Sequence, residues 1–363
     1  MERDMNARVR HVQLLYEVRR AHLERQDHRP DSTILYLNTN YDLTDFDLDA
    51  YERAARAVPG AVIRAIFNSK APLAVEVNEP LMVRGLGLAL IGLLLARVRR
   101  YILGRPTTVV CYAIENGDVR RSITERHGRW AWRAFSLLSR GVMKRMDRVA
   151  FGTESASQCY MEQLGASAKA MRLVAPLEPR CGECDPLGSD PRVLFVGSFE
   201  PRKGVLELLA AWEAKQVDQD DPVVELVLMG QGPLAEQVRD WAGPRTDVTI
   251  VSAPSPAQIH QFQARAKVLV LLSQATASWR EQVGLPILEG LSHGCEIVTT
   301  RETGLAAWLL SNGHQVIAES GVDDVLEALN RALLAQRGPE EIVSALPLVS
   351  GRAAAQNWML NEE

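Results

Sequence analysis

Two glutamates, Glu281 and Glu289, flank the start of a predicted helix. Glu281 lies in a loop that ends at Gly284, and Glu289 lies about one turn into the helix predicted after that loop. Glycine lets a ligand approach the backbone, and Pro286 suits a first helical turn, where its missing N–H costs nothing. The amides of Gly284 and Leu285 are then free to face an anion at the positive end of the helix dipole. Because carboxylates accept hydrogen bonds from adjacent hydroxyls, the pattern suits a ligand with hydroxyls next to a phosphate.

Three motifs in order resemble the donor-binding half of glycosyltransferase family four. The longest runs from Trp279 to Thr300 and reads WREQVGLPILEGLSHGCEIVTT, so that its loop, helix start, helix cap at Gly294 and next strand all match. A Val-Gly…Lys-Gly loop at Phe195–Gly204 and a Gly-x-Gly-Pro turn at Leu228–Pro233 precede it. A glutamate pair or a Gly-x-Gly turn alone is not specific, but the joint order is. The resemblance covers about Arg192 to Ile317.

The resemblance implies a role for each matching residue. Glu289 would bind the ribose hydroxyls of a nucleotide, and Glu281 would hold hydroxyls of the transferred sugar. The amides of Gly284 and Leu285 would face the diphosphate. Lys203 would neutralise the diphosphate as it leaves, which is the kind of charge stabilisation that dominates such catalysis. Lys203 and Glu281 are therefore the expected catalytic pair.

One position departs from the family pattern. The family often has arginine directly after the glycine of the first motif, and this chain has Ser198. Arg202, beside Lys203, is expected to compensate, so both Ser198 and Arg202 are included in the predicted donor site. Alone, Arg202 and Lys203 would more often be solvated loop charges.

No metal and no cofactor are expected. The family needs neither, the nucleotide sugar being a substrate, and the sequence has no obvious metal-ligand cluster. Cys181 and Cys184 have the spacing of a redox or zinc half-site. They lack a second pair and lie in a predicted linker, and we therefore interpret them as incidental.

The elements that must position these residues alternate between strand-like and helix-like segments, which indicates an α/β architecture with parallel sheets. A chain of 363 residues is too long for one core. A proline-rich stretch without periodicity, Val174–Pro191, predicts a linker. The fold class predicted is GT-B, with two Rossmann-like doubly wound domains facing a central cleft: an acceptor domain over 1–188 and a donor domain over 189–345. Residues 346–363 are predicted to form a helix that packs back on the N-terminal domain.

Apolar runs predict the strands of both domains, because buried parallel strands read as nearly continuous hydrophobic segments. Val9, Val12, Leu15 and Val18 recur at helical spacing and predict an opening helix from about Met5 to Arg25. The predicted strands are Thr33–Leu37, Leu73–Val77, Thr108–Tyr112, Arg148–Gly152, Arg192–Val196, Val223–Met229, Val248–Val251, Val268–Leu272 and Glu296–Thr300.

The N-terminal half matches the family less well. A glycine-rich loop is usual after the first strand and a histidine often follows the fourth, whereas this chain reads LNTNYD from Leu37 and AIENGD from Ala113. Glu79, Glu115 and Asn116 fall at predicted strand ends. They are candidates for acceptor-side residues, and the alternatives are strand-end caps or surface groups.

Positive charge is concentrated in the N-terminal half. Between Leu81 and Arg148 there are 14 Arg and Lys against 4 Asp and Glu, an excess of +10 in a chain of net charge −4. This indicates an anionic partner (a membrane surface, a phosphorylated acceptor or nucleic acid) or a set of solvated helix faces. Apolar and Trp-rich helical segments interleave with these charges, which favours peripheral binding of 81–148 to an anionic membrane, and we expect no nucleic acid partner.

The sequence gives no sign of export or of membrane spanning. The first 29 residues lack an uninterrupted apolar core, and the longest apolar run, Gly85 to Ala96, has 12 residues against the roughly 20 needed to cross a bilayer. Five cysteines in such a length are typical of a reducing compartment. The expected location is the cytoplasm, with peripheral attachment at the inner face of the membrane.

The expected function is that of a retaining, metal-independent hexosyltransferase that uses a UDP- or GDP-type sugar and takes part in polysaccharide or glycoconjugate synthesis. Retention follows from the resemblance. The acceptor is unidentified, and a glycan or lipid-linked molecule is expected. Two alternatives remain: a catalytically weak nucleotide-sugar-binding partner subunit, and a nucleotide-sugar epimerase or phosphorylase of the same fold.

Overall fold

The chain folds as two compact units. The first comprises Met1–Gly152, Ala156–Val174 and Arg352–Glu363, and the second comprises Thr153–Ser155 and Ala175–Gly351. The computed structural model describes residues 9–40, 43, 48, 51–69, 71–184, 187–215, 224–276 and 279–361.

A parallel sheet forms the centre of the first unit. Among the described residues it has seven strands in the order β3-β2-β1-β4-β5-β6-β7. The strands are β1 (His11–Val18), β2 (Ser32–Thr39), β3 (Ala54–Arg56), β4 (Leu73–Glu76), β5 (Thr107–Ala113), β6 (Arg148–Phe151) and β7 (Ala170–Leu173). The helices are α1 (Arg20–Asp27), α2 (Pro59–Asn68), α3 (Leu86–Arg97), α4 (Val119–Met143) and α5 (Glu154–Leu164).

A second parallel sheet forms the centre of the second unit. Its six described strands run in the order β10-β9-β8-β11-β12-β13, the sequence of a Rossmann sheet. The strands are β8 (Asp190–Val196), β9 (Glu225–Gly230), β10 (Val248–Ser252), β11 (Ala266–Leu271), β12 (Glu296–Thr300) and β13 (Gln315–Ile317). The helices are α6 (Val205–Ala214), α7 (Ala235–Ala242), α8 (Pro256–Gln263), α9 (Leu285–Ser292), α10 (Ala306–Ser311), α11 (Val322–Leu334) and α12 (Pro339–Ser344). The last helix of the chain, α13 (Gly351–Leu360), belongs to the first unit from Arg352 onward.

The central strands are buried because helices cover both faces of each sheet. Val193, Leu194 and Phe195 of β8 and Val268 and Leu269 of β11 have no exposed surface. Alternating side chains of a strand point to opposite faces, so complete burial of consecutive residues requires a layer on each side. This explains why continuous apolar runs predicted these strands.

The predicted opening helix from Met5 to Arg25 is wrong over residues 9–19 and correct over residues 20–25. Residues 11–18 form β1, which pairs in parallel with both β2 and β4, and α1 begins only at Arg20. The apolar residues Val12, Leu15 and Val18, which recur at intervals of three, belong to a strand that is buried on both faces. His11 and Gln13 interrupt the run because they lie buried beside Ser32, whose hydroxyl contacts both side chains.

The proline-rich stretch packs on the second unit. The amide of Cys181 donates to Ser292, and the amide of Gly188 donates to Ala264. These bonds explain why the chain joins the second unit at Ala175, upstream of the boundary predicted at residues 188–189.

The C-terminal helix α13 lies in the first unit from Arg352 onward. Its Ala355 and Met359 are buried against Val110 and Ala150 of the sheet. Arg352 stacks on the ring of Tyr112, with its Cζ 3.6 Å from the ring centroid.

Candidate functional site

The candidate donor site lies where the strand order of the second sheet reverses. The strands β8 and β11 are neighbours, and the chain proceeds outward from β8 to one side and from β11 to the other. Open α/β sheets bind ligands beyond the carboxyl ends of the strands at such a switch point. The loop after β8 carries Ser198, Arg202 and Lys203, and the loop after β11 carries Glu281 and ends at Gly284.

Lys203 and Glu281 meet at this switch point although 78 positions separate them. Lys203 Nζ lies 2.5 Å from Glu281 Oε2, and the Ser273 hydroxyl donates to the same oxygen at 3.0 Å. Both charged side chains are largely buried, with 17% and 11% of their surfaces exposed. Because desolvation offsets much of the attraction in a buried ion pair, such a pair is weak evidence for stability and stronger evidence for a functional site.

Glycines allow the loops of this site to approach one another closely. Gly204 has a φ of 71°, and a Cβ there would lie 2.1 Å from the carbonyl oxygen of Leu272, which follows β11. A Cβ on Gly230 would lie 1.9 Å from the carbonyl oxygen of Gly197. Side chains at either position would force apart the loops after β8, β9 and β11. The first two sequence motifs therefore have their glycines where backbones touch.

Ser198 and Arg202 both bind a carboxylate of their own loop. The Ser198 hydroxyl donates to Glu200 Oε1 at 2.6 Å, and Arg202 Nε donates to Glu200 Oε2 at 2.6 Å. The bonds from Ser198 and Arg202 hold the pKa of Glu200 below its usual range. The Arg202 guanidinium also lies over Trp279, with its Cζ 4.4 Å from the ring centroid. The structure thus brings both predicted residues to the site and engages both with Glu200.

The N-terminus of α9 has the local features that the sequence predicted for an anion site. Gly284 is the N-cap residue with a φ of 80°, and Pro286 lies in the first turn. Leu285 is exposed, and the first amides of any helix lack partners within the helix. The helix ends as expected, with Gly294 at a φ of 78°.

Glu289 lies on the exposed side of α9, one turn from its start. Its Oε2 accepts a hydrogen bond from Gln263 Nε2 at 3.0 Å, and Gln263 is the buried last residue of α8. This hydrogen bond restricts the orientation of the Glu289 carboxylate. Sequence reasoning missed Gln263, and also Ser273 and Trp279 as contacts of the site, because no spacing rule connects them with the motifs.

In the first unit, Glu79, Glu115 and Asn116 meet at the carboxyl ends of β4 and β5. Glu79 Oε2 accepts bonds from the amides of Ile114 and Glu115, each at 2.9 Å, and from the Tyr160 hydroxyl at 3.0 Å. Burial, and next the charge of Glu115, raise the pKa of Glu79 to about 7. Asn116 is buried, and Glu115 Oε1 accepts from the amide of Gly117. Glu79 thus holds the loop after β5 in place, and an acceptor-side role for these three residues stays a prediction.

The structure adds two residues to the surroundings of Cys181 and Cys184, which we interpreted from the sequence as incidental. The sequence offered no second pair of ligands, but the fold brings His260 of α8 and His293 at the end of α9 to the two thiols. The partners were missed because they lie 79 and 112 positions from Cys181.

Comparison with known proteins identifies the second unit. Residues 186–345 match the family described as glycosyl transferases group 1. This segment contains all seven predicted donor-site residues. The second unit is a group 1 glycosyl transferase domain. A search of curated proteins finds no match to the chain.

Solved structures share the fold over nearly the whole chain. The lipopolysaccharide outer core galactosyltransferase WaaB is 14% identical with a TM-score of 0.61, covering 98% of this chain and 100% of that one. WaaG, a glycosyltransferase involved in lipopolysaccharide biosynthesis, is 13% identical with a TM-score of 0.56, covering 95% and 98%. The α,α-trehalose 6-phosphate synthase of Burkholderia multivorans is 13% identical with a TM-score of 0.55, covering 98% and 95%. At these identities the likeness is one of fold, and it confirms the predicted GT-B class of two Rossmann-like units.

A helix that crosses a bilayer must be both long and apolar. Within the described ranges, no helix is both long and apolar enough to cross a membrane.

Proposed function

We propose that this glycosyltransferase moves a sugar from a UDP- or GDP-type nucleoside diphosphate sugar to a glycan or lipid-linked acceptor, with retention at the anomeric carbon. The observation that carries the proposal is the 2.5 Å pair of Lys203 and Glu281 at the switch point of the second sheet. Glu281 precedes the N-cap of α9, Gly284, by three positions. A cation, a carboxylate and a helix N-terminus in one place suit a sugar that is joined to a diphosphate.

Each group at the site has a chemical task in this proposal. The amides of Gly284 and Leu285 face the diphosphate at the positive end of α9. Glu289, held by Gln263, accepts hydrogen bonds from the two ribose hydroxyls. Glu281 accepts bonds from hydroxyls of the sugar, and its orientation is fixed by Ser273.

Lys203 acts on the leaving group. As the glycosidic bond breaks, negative charge grows on the diphosphate, and a cation that is already in place and partly shielded from water stabilises that charge without reorganisation. Because Lys203 pairs with Glu281, a bound diphosphate sugar must share the lysine with this carboxylate. Transfer without a metal is part of the proposal, because Lys203 and the α9 amides supply positive charge.

A binding screen followed by product analysis tests this function. Nucleoside diphosphates and their sugars are screened by thermal shift, since a ligand of the folded state raises Tm by mass action. The sugar that stabilises best is then incubated with candidate acceptors, and the anomeric configuration of the product is read by NMR. We expect UDP or GDP to raise Tm and the product to keep the donor's anomeric configuration. Inversion would contradict retention, and no shift with any nucleotide would contradict donor binding.

We further propose that the first unit docks on an anionic membrane. Exposed apolar side chains lie on α3, on the turn that follows it and on α4: Ile91, Leu94, Tyr101, Ile102, Trp130 and Leu137. Exposed arginines stack on two of these aromatic rings, Arg97 on Tyr101 and Arg133 on Trp130. A cavity of about 110 Å³ close by has five basic groups in its lining, Arg97, Arg100, Lys144, Arg145 and Lys169. Asp147 also lines it and pairs with Arg100 and Lys169, so Arg97, Lys144 and Arg145 are the groups that suit an anionic headgroup.

Arg99 does not belong to this surface, contrary to the simple count of basic residues. It has no exposed surface and donates to three carbonyl groups, of Ser69, Ala71 and Pro106, and to the hydroxyl of Thr107. Its charge is therefore part of the core, where it ties β5 to the end of α2.

Liposome flotation tests the docking. The wild type is expected to float with anionic vesicles at low salt and to dissociate at high salt, because screening shortens the range of each attraction. The double variant Arg97→Ser/Trp130→Ser should float less, and Arg239→Ser, an exposed arginine of α7 in the second unit, should float like the wild type. A wild type that stays in solution with anionic vesicles at low salt would contradict the proposal.

One observation favours a second candidate, a catalytically weak subunit that binds a nucleotide sugar for a partner enzyme. Arg202 and Ser198, expected to bind the diphosphate, both bind Glu200. Tight nucleotide binding without transfer or donor hydrolysis across many acceptors would support this candidate.

A further inference from the structure

Four potential metal ligands converge in the second unit, apart from the donor site. The ligand atoms of Cys181, Cys184, His260 and His293 all lie within 4.8 Å of one another. Cys181 Sγ is 3.6 Å from Cys184 Sγ, and His260 Nε2 is 3.1 Å from Cys184 Sγ and 4.0 Å from Cys181 Sγ. Both cysteines are free thiols. The set has two sulfur and two nitrogen ligands from three separate parts of the chain.

The distances agree with tetrahedral zinc. Two thiolates at about 2.3 Å from a tetrahedral zinc ion lie about 3.8 Å apart, and a thiolate and an imidazole nitrogen at about 2.1 Å lie about 3.6 Å apart. The observed sulfur–sulfur distance of 3.6 Å is close to the first value, and the sulfur–nitrogen distances of 3.1 and 4.0 Å lie on either side of the second. A Cys-x₂-Cys pair with two histidines is also one of the ligand sets of structural zinc.

His293 is prepared to be a ligand through one nitrogen. Its Nδ1 lies 2.7 Å from the carbonyl oxygen of Glu289, and because a carbonyl only accepts, Nδ1 carries the proton. Nε2 then has a free lone pair. This atom is buried and has no hydrogen-bond partner among the described residues, and the whole side chain is only 5% exposed. A buried nitrogen in this state is costly unless something binds it.

His260 has the same arrangement with a weaker outer contact. Its Nε2 faces the two thiols, and its Nδ1 lies 4.0 Å from a carboxylate oxygen of Glu183. Metal-binding histidines commonly present one nitrogen to the ion and the other to a carbonyl or a carboxylate, which fixes the tautomer and the ring orientation. His293 follows that rule, whereas the Glu183 carboxylate, at 4.0 Å, is beyond hydrogen-bond distance of His260 Nδ1.

We propose that Cys181, Cys184, His260 and His293 bind one structural zinc ion. Four protein ligands close the coordination sphere, so the site has no open position for catalysis. The ion joins the segment by which the chain enters the second unit to α8 and to the end of α9. The amide of Cys181, which donates to the carbonyl of Ser292, supports the contact with the end of α9.

The zinc ion also positions Glu289, an inference that rests on the proposed function of that residue. The carbonyl oxygen of Glu289 accepts a hydrogen bond from Nδ1–H of His293, and the Glu289 carboxylate accepts one from Gln263 Nε2. Gln263 lies three positions after His260 on α8. Both bonds thus come from the two elements that the ion connects. Loss of the metal should loosen α8 against α9 and weaken nucleotide binding.

Metal analysis of the full chain tests the site. The protein is purified from zinc-supplemented cells in chelator-free buffer, and its metals are measured by elemental mass spectrometry. We expect about one zinc per chain in the wild type and less than about a tenth of that in Cys184→Ser and His293→Gln. Cys159→Ser and His127→Gln alter a thiol and an imidazole of the first unit and should retain the zinc.

Cobalt substitution of the wild type gives a result that does not depend on whether the variants fold. Co²⁺ bound by two thiolates in a tetrahedral site shows thiolate charge-transfer and intense visible d–d bands, and zinc should displace it. A wild type that contains no zinc and develops no such bands would overturn the proposal, as would a Cys181–Cys184 disulfide in protein purified under reducing conditions.

Nucleotide binding separates this inference from the proposed function. Zinc removal from the wild type should lower UDP or GDP affinity severalfold and lower Tm. If no nucleotide binds the zinc-loaded protein, the proposed function fails while the zinc site stands. If nucleotide binds equally with and without zinc, the positioning of Glu289 by the metal is refuted.

Discussion

The buried carboxyl of Glu79 makes stability depend on pH in a way that one substitution removes. Burial and the nearby charge of Glu115 raise the pKa of Glu79 to about 7, from the ordinary value of 4.5 for a glutamate. Between these two values the folded state binds a proton that the unfolded state does not, so this group stabilises the fold at low pH. The contribution is lost as pH rises through 7.

The size of the effect follows from the two pKa values. One pKa unit corresponds to about 1.4 kcal/mol, and the linkage relation gives a contribution of about 2.5 kcal/mol at pH 5 that is nearly zero at pH 8. Glu79→Gln should remove this dependence, because the amide oxygen can still accept from Ile114 and Glu115 and the side chain no longer titrates.

Urea unfolding at pH 5 and pH 8 measures the difference. Relative to the wild type, Glu79→Gln should lose about 2.5 kcal/mol less stability between the two pH values. Glu162→Gln, an exposed position of α5 with the same change of charge, should follow the wild type. An unchanged pH dependence in Glu79→Gln would refute the raised pKa.

Two further predictions concern the donor site. Lys203→Ala should lower kcat by more than it weakens donor binding, because charge on the diphosphate grows in the transition state. Steady-state kinetics together with a measurement of donor affinity should show this difference. If the variant were as active as the wild type, Lys203 would have only a structural role. Gly204→Ala should lower the free energy of unfolding, measured by urea titration, by more than about 2 kcal/mol. The reason is that residue 204 has a φ of 71° and its new Cβ would lie 2.1 Å from the carbonyl oxygen of Leu272. The control Gly87→Ala, on α3 with open space around it, should be neutral or stabilising in the same titration.

The sequence predicted most of the central strands and, of the four edge strands in the described residues, only β10. Runs such as Arg192–Val196 are recognisable because burial on both faces demands continuous apolar residues. The edge strands β3, β7 and β13 were missed, since they are short and partly exposed; the β7 residues Met171 and Leu173 are exposed. The strand β1 was mistaken for a helix because its buried polar residues, His11 and Gln13, gave the run a helical spacing.

Helix caps that depend on neighbouring residues could be predicted from the sequence, whereas contacts between side chains far apart in the chain could not. The cap at Gly284 and the helix end at Gly294 depend on neighbouring residues and were predicted. The pairing of Lys203 with Glu281 and the bond from Gln263 to Glu289 depend on which strands adjoin at the switch point. His260 and His293 could not be predicted as neighbours of Cys181 and Cys184 for the same reason, since only the fold brings α8 and α9 to these thiols.

The most direct test of the central claim is the affinity of the protein for UDP and GDP, measured by calorimetry. One of the two should bind the wild type, and Glu289→Ala should weaken that binding by about 1.5–3 kcal/mol, the value expected for lost hydrogen bonds to a charged group. Glu327→Ala, an exposed glutamate of α11, should bind like the wild type. Equal affinity of the folded Glu289→Ala protein, or a wild type that binds neither nucleotide, would contradict the account.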